Sequence, residues 1–418
     1  MANEFSKEER VAFEQMLDGF NDQLVLSNLV TKYRTNPTAM ERTSDVWWRP
    51  QPYIAQSFSG SDATSNFKEA TQLSVPTTIN TQRHSTAILT ATELRDQLQE
   101  GRLGMAAAQK LASDINVSVL DEAANNATIV VKKTTSATGY ADVADIDTVM
   151  NEQGIMMNNR YLALSSGDYN GMAANLAARQ TMNQMPTDAY RRSYVGQVAG
   201  FETFKMDYSD AVTAATATSV TIRGANQRHD PTATDANGNN VDNRTMTLNL
   251  TATNNLKVGD CFTIAGVNAV HHITKRDTGS LKTFRITGVT TATGSAVVTI
   301  SPPIIPVDAT SPSDAQRQYQ NVTATPANSA ALTFLNTDDA KANVFWHSDA
   351  IELVPGTLAI PADAGAAIMR GTTDQGIEMT MQKQFDINNQ KTKYRWDVRY
   401  GVNVTQPEMC GIILFDQS

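Results

Sequence analysis

The sequence predicts an α+β protein in which a host of interleaved helices and strands is interrupted by an all-β segment. Three observations point there. A long amphipathic run extends from about Thr90 to Thr128. Helix and strand patterns alternate from Ile129 to about Thr218 and return from Asn343. Between them, from about Val220, the composition shifts toward Thr, Val, Asn and Gly, with alternating apolar and polar positions.

Taken in order, Ser6 and Glu9 have the S/T-x-x-E spacing of a capping box and predict a helix to about Tyr33. Its apolar stripe is Phe13, Met16, Leu17, Phe20 and Leu24, set against Glu9, Glu14, Asp18 and Asp22. That stripe fits either an ordinary helix on its own core or an arm docking on another subunit or assembly factor. Asn36-Pro37 ends the helix, because proline disfavours helical backbone in the residue before it. Val46-Trp47-Trp48 then leads through Pro50 and Pro52 to a polar stretch, Ser59–Phe67, and a second extended run from Leu73 to Ile88. Two extended segments about a Gly/Ser-rich tip predict a long hairpin or a plain loop.

In the long run, Thr90 and Glu93 give a second capping-box spacing, and Leu94, Leu98, Leu103, Ala107, Leu111, Ile115 and Val119 recur mostly at four-residue steps. Gly101 and Gly104 each cost about 1 kcal/mol relative to Ala, which predicts a kink or break. Past it, Ile129 to Lys133 and Tyr161 to Leu164 read as strands, and Asp145 to Asn151 and Gly171 to Gln180 as helices. In the β segment, strands are expected at Ser219–Arg223, Thr245–Thr251, Cys261–Val267, Lys282–Thr290 and Ala296–Ile300. Met246, Leu248 and Leu250 face one side. Closely spaced turn signals favour a sandwich or barrel inserted into the host, with its ends close together. Val354–Ile360, Met379–Phe385 and Tyr394–Val404 complete the host as strands.

The chain has 418 residues, 41% hydrophobic, enough for several domains. No apolar run approaches the roughly 18 residues of a membrane span, and MANEFSKEER has no signal-peptide core. Cys261 and Cys410 suggest no disulfide framework, which fits folding in a reducing cytosol. A net charge of -9 disfavours tight nucleic-acid binding but not a wall that merely encloses it. No catalytic constellation is present. Of five histidines only His271 and His272 adjoin, and neighbours on a strand face opposite ways, so no metal or cofactor is expected. Asp235 to Asn239 has its glycine too early for a calcium loop and no closing Glu, and fits a solvated Asn-Gly turn. There is no G-x-S-x-G elbow and no phosphate loop.

Asn343-Val344-Phe345-Trp346, then Asp349 to Val354, resemble a segment of tailed-phage major capsid proteins. So do Arg395 to Val402, Pro407-Glu408 with Gly411, and the turn Val198-Ala199-Gly200-Phe201. Asn240 to Arg244, Lys257 to Asp260 and Ile264 to Val267 resemble the inserted domain of short-tailed phages of enteric bacteria. The resemblance spans essentially the whole chain, in order. It implies the tailed-phage and herpesvirus shell fold, with an N-terminal arm (1–45), an extended hairpin (46–89), a spine helix and peripheral domain (90–135), an axial domain (136–218), an inserted Greek-key β-barrel (219–342) and completion of the axial and peripheral domains (343–418).

The function implied is a major capsid protein that assembles with itself into hexamers and pentamers of an icosahedral procapsid. A scaffolding protein acts in trans, a portal occupies one vertex, double-stranded DNA is enclosed, and the shell expands on maturation. Assembly is expected in the host bacterial cytoplasm, and the product in the virion. The functional residues are then contacts. Asp230, Asp235 and Asp242 are expected to meet basic groups of a neighbouring capsomer, and Arg228 and Arg244 to shape the loop or pair likewise. Phe13, Leu17, Phe20 and Leu24 would be arm contacts. A phage tail protein or adhesin would also account for the Thr/Asn-rich segment, but predicts a β-rich C-terminus. An enzyme with a β insertion lacks its nucleophile and base.

Overall fold

The computed structural model describes residues 5, 7–33, 46–52, 54–64, 66–67, 71–90, 92–93, 97–178, 191–193, 195–251, 255–292, 295–308, 310, 312–360 and 365–418. The chain divides into two compact units. One comprises Met1–Trp47, Thr77–Glu122 and Ile351–Asn403, the other Trp48–Pro76, Ala123–Ala350 and Val404–Ser418.

In the first unit, helix α1 (Lys7–Gln23) stops ten residues short of the predicted end. The Asn116 side chain explains this. Its amide donates to the Gln23 carbonyl at 3.0 Å, and its oxygen accepts from the Leu26 N–H at 3.3 Å, so a neighbouring helix satisfies the terminus. Leu26–Leu29 then forms a single 3₁₀ turn. Asn36-Pro37 lies outside the described residues. Helix α2 (Gln97–Asn126) spans 30 residues, about 45 Å at 1.5 Å per residue. Residues 94–96, between the expected capping box and Gln97, lie outside the described residues. The Glu93 carboxylate accepts from both the N–H and the hydroxyl of Thr90, each at 2.8 Å, the acid's half of the expected capping box, at the end of the Thr81–Thr90 strand.

Gly101 and Gly104 do not break α2. A Cβ at Gly104 would come within 3.2 Å of the Met16 sulfur, so this glycine serves the close approach of α1. The sheet of this unit is built on Lys391–Val404, which pairs antiparallel with Glu378–Asp386 and with Thr81–Thr90. Gly401 sits where a Cβ would be 2.1 Å from the Thr78 carbonyl oxygen, which explains a glycine in the Arg395–Val402 motif.

In the second unit, a six-stranded sheet runs in the order Ile129–Lys132, Cys410–Leu414, Asn343–His347, Arg160–Ser165, Phe201–Met206, Gln197–Val198. The strands at Cys410 and Asn343 are buried along their whole length, so they carry no polar alternation to betray them. A Cβ at Gly411 would overlap the Phe345 ring at 2.1 Å. The Asn343 oxygen accepts from the Ser165 N–H at 2.7 Å, and its amide donates to Asp168 at 2.9 Å. Ala199 and Gly200 both take positive φ, +47° and +85°, giving the tight turn that returns the chain into the Phe201 strand. Helices α3 (Tyr140–Glu152) and α4 (Ser166–Ala177) lay Val143, Ile146, Met150, Tyr169 and Met172 into the core beside the sheet.

The inserted segment is a barrel. Its strands follow the order Thr221–Ile222, Met246–Thr251, Ser295–Ser301, Asp277–Ala292, Cys261–Val270, Leu332–Phe334. Three hairpin-connected strands with the preceding one beside the last make a Greek key. The ring closes where Leu332 N–H donates to the Val220 carbonyl at 3.0 Å and Ile222 N–H to the Ala330 carbonyl at 2.9 Å. Leu248, Leu250, Phe262, Ile264, Phe284, Ile286, Val298 and Ile300 fill it. At its entrance Ala211–Val212 pairs antiparallel with Ala340–Lys341.

A polar cluster joins a barrel strand to the 3₁₀ turn Pro407–Met409 that precedes the Cys410–Leu414 strand. Lys282, whose side chain is 4% exposed, donates to Glu408 at 2.6 Å. The Asn321 amide reaches the same carboxylate oxygen at 3.2 Å. His271 and His272 lie beyond the end of the Cys261–Val270 strand, in a turn, contrary to the strand reading. Burial pushes the His272 imidazole down to about 4, against the opposing pull of Glu408. Burial likewise lowers the Lys275 ammonium to about 8.

Candidate functional site

The loop between the barrel strands at Thr221–Ile222 and Met246–Thr251 holds every charged residue expected to make contacts. Its base is fixed by Asn243, which sequence reasoning passed over although it lies inside the Asn240–Arg244 motif. Asn243 is 5% exposed. Its amide donates to the carbonyls of Thr232, at 2.9 Å, and Val241, at 3.1 Å. Its oxygen accepts from the Thr232 N–H at 3.2 Å and meets His229 Nε2 at 2.8 Å. His229 is held in turn through its N–H to the Ile304 carbonyl at 2.8 Å. One buried carboxamide therefore ties both legs of the loop together.

Arg228 and Arg244 work within the chain. Arg228 pairs with Asp308 and stands 3.4 Å from Asp230. The Asp230 carboxylate also accepts from the Gln316 side chain. Gln316 closes a Ser313-x-x-Gln316 capping box on helix α5 (Asp314–Tyr319), a spacing legible in the sequence but not used. Arg244 grips Asp242 with Nε at 3.0 and 3.2 Å and Nη2 at 2.8 Å, while Nη1 donates to the Val404 carbonyl at 2.8 Å. Both arginines have acidic partners inside the chain, as Asp230 and Asp242 have partners on it.

Asp235 is different. Its Oδ1 accepts from the N–H groups of Asn237, at 2.8 Å, and Asn239, at 2.9 Å, so the carboxylate organises its own turn. The Asn239 N–H, first among these bonds, holds its carboxyl below the usual range. Residues 234–240 are all exposed. The tip thus presents an ionised carboxylate on a turn whose legs are clamped.

The proposed arm contacts lie elsewhere, in the first unit. Phe13, Phe20 and Leu24 are buried there and Leu17 is half-buried. A Cβ at Gly371 would meet Leu17 at 2.8 Å and Phe13 at 2.9 Å, and Glu9 pairs with Lys383. The apolar stripe of α1 faces its own subunit. Among the described residues no group of three or more His, Cys, Asp or Glu is placed to hold a metal ion.

The family model described as P22 coat protein, gene protein 5, matches residues 1–416. The solved CUS-3 coat protein I-domain is 47% identical, spans 28% of this chain and 95% of its own length, with a TM-score of 0.23. A structure from Mycobacterium phage Che8 is 11% identical and covers 94% of this chain and 92% of its own, with a TM-score of 0.44. The capsid structure of cyanophage P-SCSP1u is 12% identical and covers 94% of this chain and 88% of its own, also at 0.44. From the full-length match, together with the barrel inserted into an α+β host, the chain belongs to the P22 coat protein family: it is a major capsid protein with the tailed-phage capsid fold, and it associates with itself in the lattice of an icosahedral virion shell.

Proposed function

We propose that this chain builds a precursor shell in the host bacterial cytoplasm, with a scaffolding protein acting in trans and a portal at one vertex. The shell then encloses double-stranded DNA and expands by shifting existing interfaces. Within that lattice the projecting loop reaches a neighbouring capsomer. The observation carrying this is the division of labour among the loop charges. Arg228, Asp230, Asp242 and Arg244 frame the base, and Asp235 stands ionised and exposed at the tip. A carboxylate has more acceptor sites than its own turn occupies, so a basic group from outside can add to it. Such a contact is weak, about 0–1 kcal/mol, which lets misplaced subunits leave before the shell closes.

The hairpin is read in the same way. Val46–Pro50 and Ser74–Thr78 pair at its base, while Phe58 and Phe67 are 48% and 84% exposed, large apolar surfaces suited to burial against an adjacent subunit. For α1, the buried stripe favours an arm anchored on its own subunit, so that any movement on maturation has to lift it from that seat. The test is assembly of Asp235→Ala with scaffolding protein across a salt series. The expected result is slower closure and fewer shells, with the deficit narrowing as salt screens the wild type. Wild-type yield at every salt concentration would remove Asp235 from the contact.

A further inference from the structure

The hairpin and the projecting loop stand on a common footing within the second unit. Ser74, on the returning strand of the hairpin, forms a parallel backbone bridge with Asp242, at the base of the loop. The Asp242 carboxylate is held by the Arg244 fork, and the same guanidinium reaches the Val404 carbonyl. One residue earlier on the hairpin, the Leu73 N–H donates to the Tyr319 hydroxyl at 3.2 Å. That hydroxyl donates to the Thr71 carbonyl at 3.5 Å, a long contact. Gln56 reaches the Asp314 carbonyl, on the same short helix, at 3.4 Å. Leu73 and Val75 are 2% and 1% exposed. A small cavity of about 80 Å³ is lined by Gln51, Leu73, Asn243, Arg244 and Tyr319, side chains from hairpin, loop and α5 together.

We propose that Arg244 and Tyr319 are positioning residues that make the hairpin and the projecting loop one mechanical body. A shift imposed on either segment is then passed to the other. A single backbone bridge between segments far apart in sequence does not hold by itself. Here it is bracketed on one side by the planar fork on Asp242 and on the other by the Tyr319 hydroxyl. Arginine suits the first task because it engages Asp242 and Val404 at once, in directions fixed by its plane. This rests on the shell reading only for its consequence, namely that a subunit contacted at its loop would present its hairpin in a set direction.

The test is amide hydrogen exchange on the unassembled full-length subunit, perturbing one segment and reading the other. In Arg244→Gln, the Leu73, Ser74 and Val75 amides should exchange at least about tenfold faster, given the worth of charge-assisted bonds. The barrel amides at residues 296–300 should hold, and Asp235→Asn at the tip should leave the hairpin at wild-type rates. Faster loop exchange in Arg244→Gln with an unchanged hairpin would overturn the proposal. Should that variant lose the barrel, Tyr319→Phe carries the test in reverse. It removes one hydroxyl, and faster exchange at Asn239 and Val241 supports the coupling, whereas unchanged rates there overturn it. Assembly yields of the same variants separate the two readings. Coupled exchange with normal shells upholds the mechanical body and removes the loop contact, while lost assembly with uncoupled exchange does the opposite.

Discussion

Replacing Glu408 by Gln removes the carboxylate facing Lys282, whose side chain is only 4% exposed and whose other contact is Gln153 at 3.5 Å. Breaking a buried pair on the acid side costs roughly 3–5 kcal/mol, because a cation is left with little solvent. Glu408 itself is 28% exposed, so water can enter, and about 2–4 kcal/mol is expected. The reverse change is cheaper. After Lys282→Met the carboxylate keeps the Asn321 amide at 3.2 Å and its access to water, for a loss of about 1–2 kcal/mol. The double variant removes both charges and should lose about 2 kcal/mol less than the sum of the two single variants, that difference being the coupling energy. Urea midpoints of the unassembled subunit measure all four corners. Equal and additive losses in the two single variants would refute the view that Lys282 is the stranded partner.

Three other outcomes follow from the same geometry. Gly411→Ala would drive a methyl into the Phe345 ring from 2.1 Å, and should cost about 3 kcal/mol or more, read as a fall in the urea midpoint. Asn243→Ala should free the legs of the loop at a local cost of about 2 kcal/mol, seen as rapid proteolysis between residues 232 and 242 with the barrel intact. The depressed His272 value sets a pH dependence. The folded ring binds fewer protons than the unfolded chain between about 4 and 6.5, so stability falls as pH drops through that window and levels below it. Glu408, held below its usual range by Lys282 against the desolvation that raises it, adds its own loss only lower, beneath about 4.5. His272→Gln should flatten the upper part of this titration and leave the lower.

Where an element had one wet face, the sequence announced it. The Met246–Thr251 strand alternates buried and exposed along its length, and differs from the expected Thr245–Thr251 by one residue. The strand at Cys410–Leu414 is buried throughout and carries no period, so the sequence shows of it only the glycine of a motif. Helix ends failed for a related reason. Asn116, some ninety residues away, decides where α1 stops. Helix propensity alone makes Gly104 a weakness in α2, although its missing Cβ makes room for Met16. At the candidate site the charged residues stood out in the sequence, but their pairing did not. Arg228 meets Asp308 and Asp230 meets Gln316 across some eighty residues, and Asn243, an uncharged carboxamide, binds the legs. Local spacing cannot reveal partners that only the barrel closure brings together.

The short ladder between Ala211–Val212 and Ala340–Lys341 makes the barrel's way in and way out each other's neighbours. A stretch of more than a hundred residues is therefore spliced across a gap that a tight turn could span. To the rest of the subunit such a module resembles a plug in a socket. Foreign domains with adjacent termini have a ready place to be mounted there without redrawing the surrounding sheet.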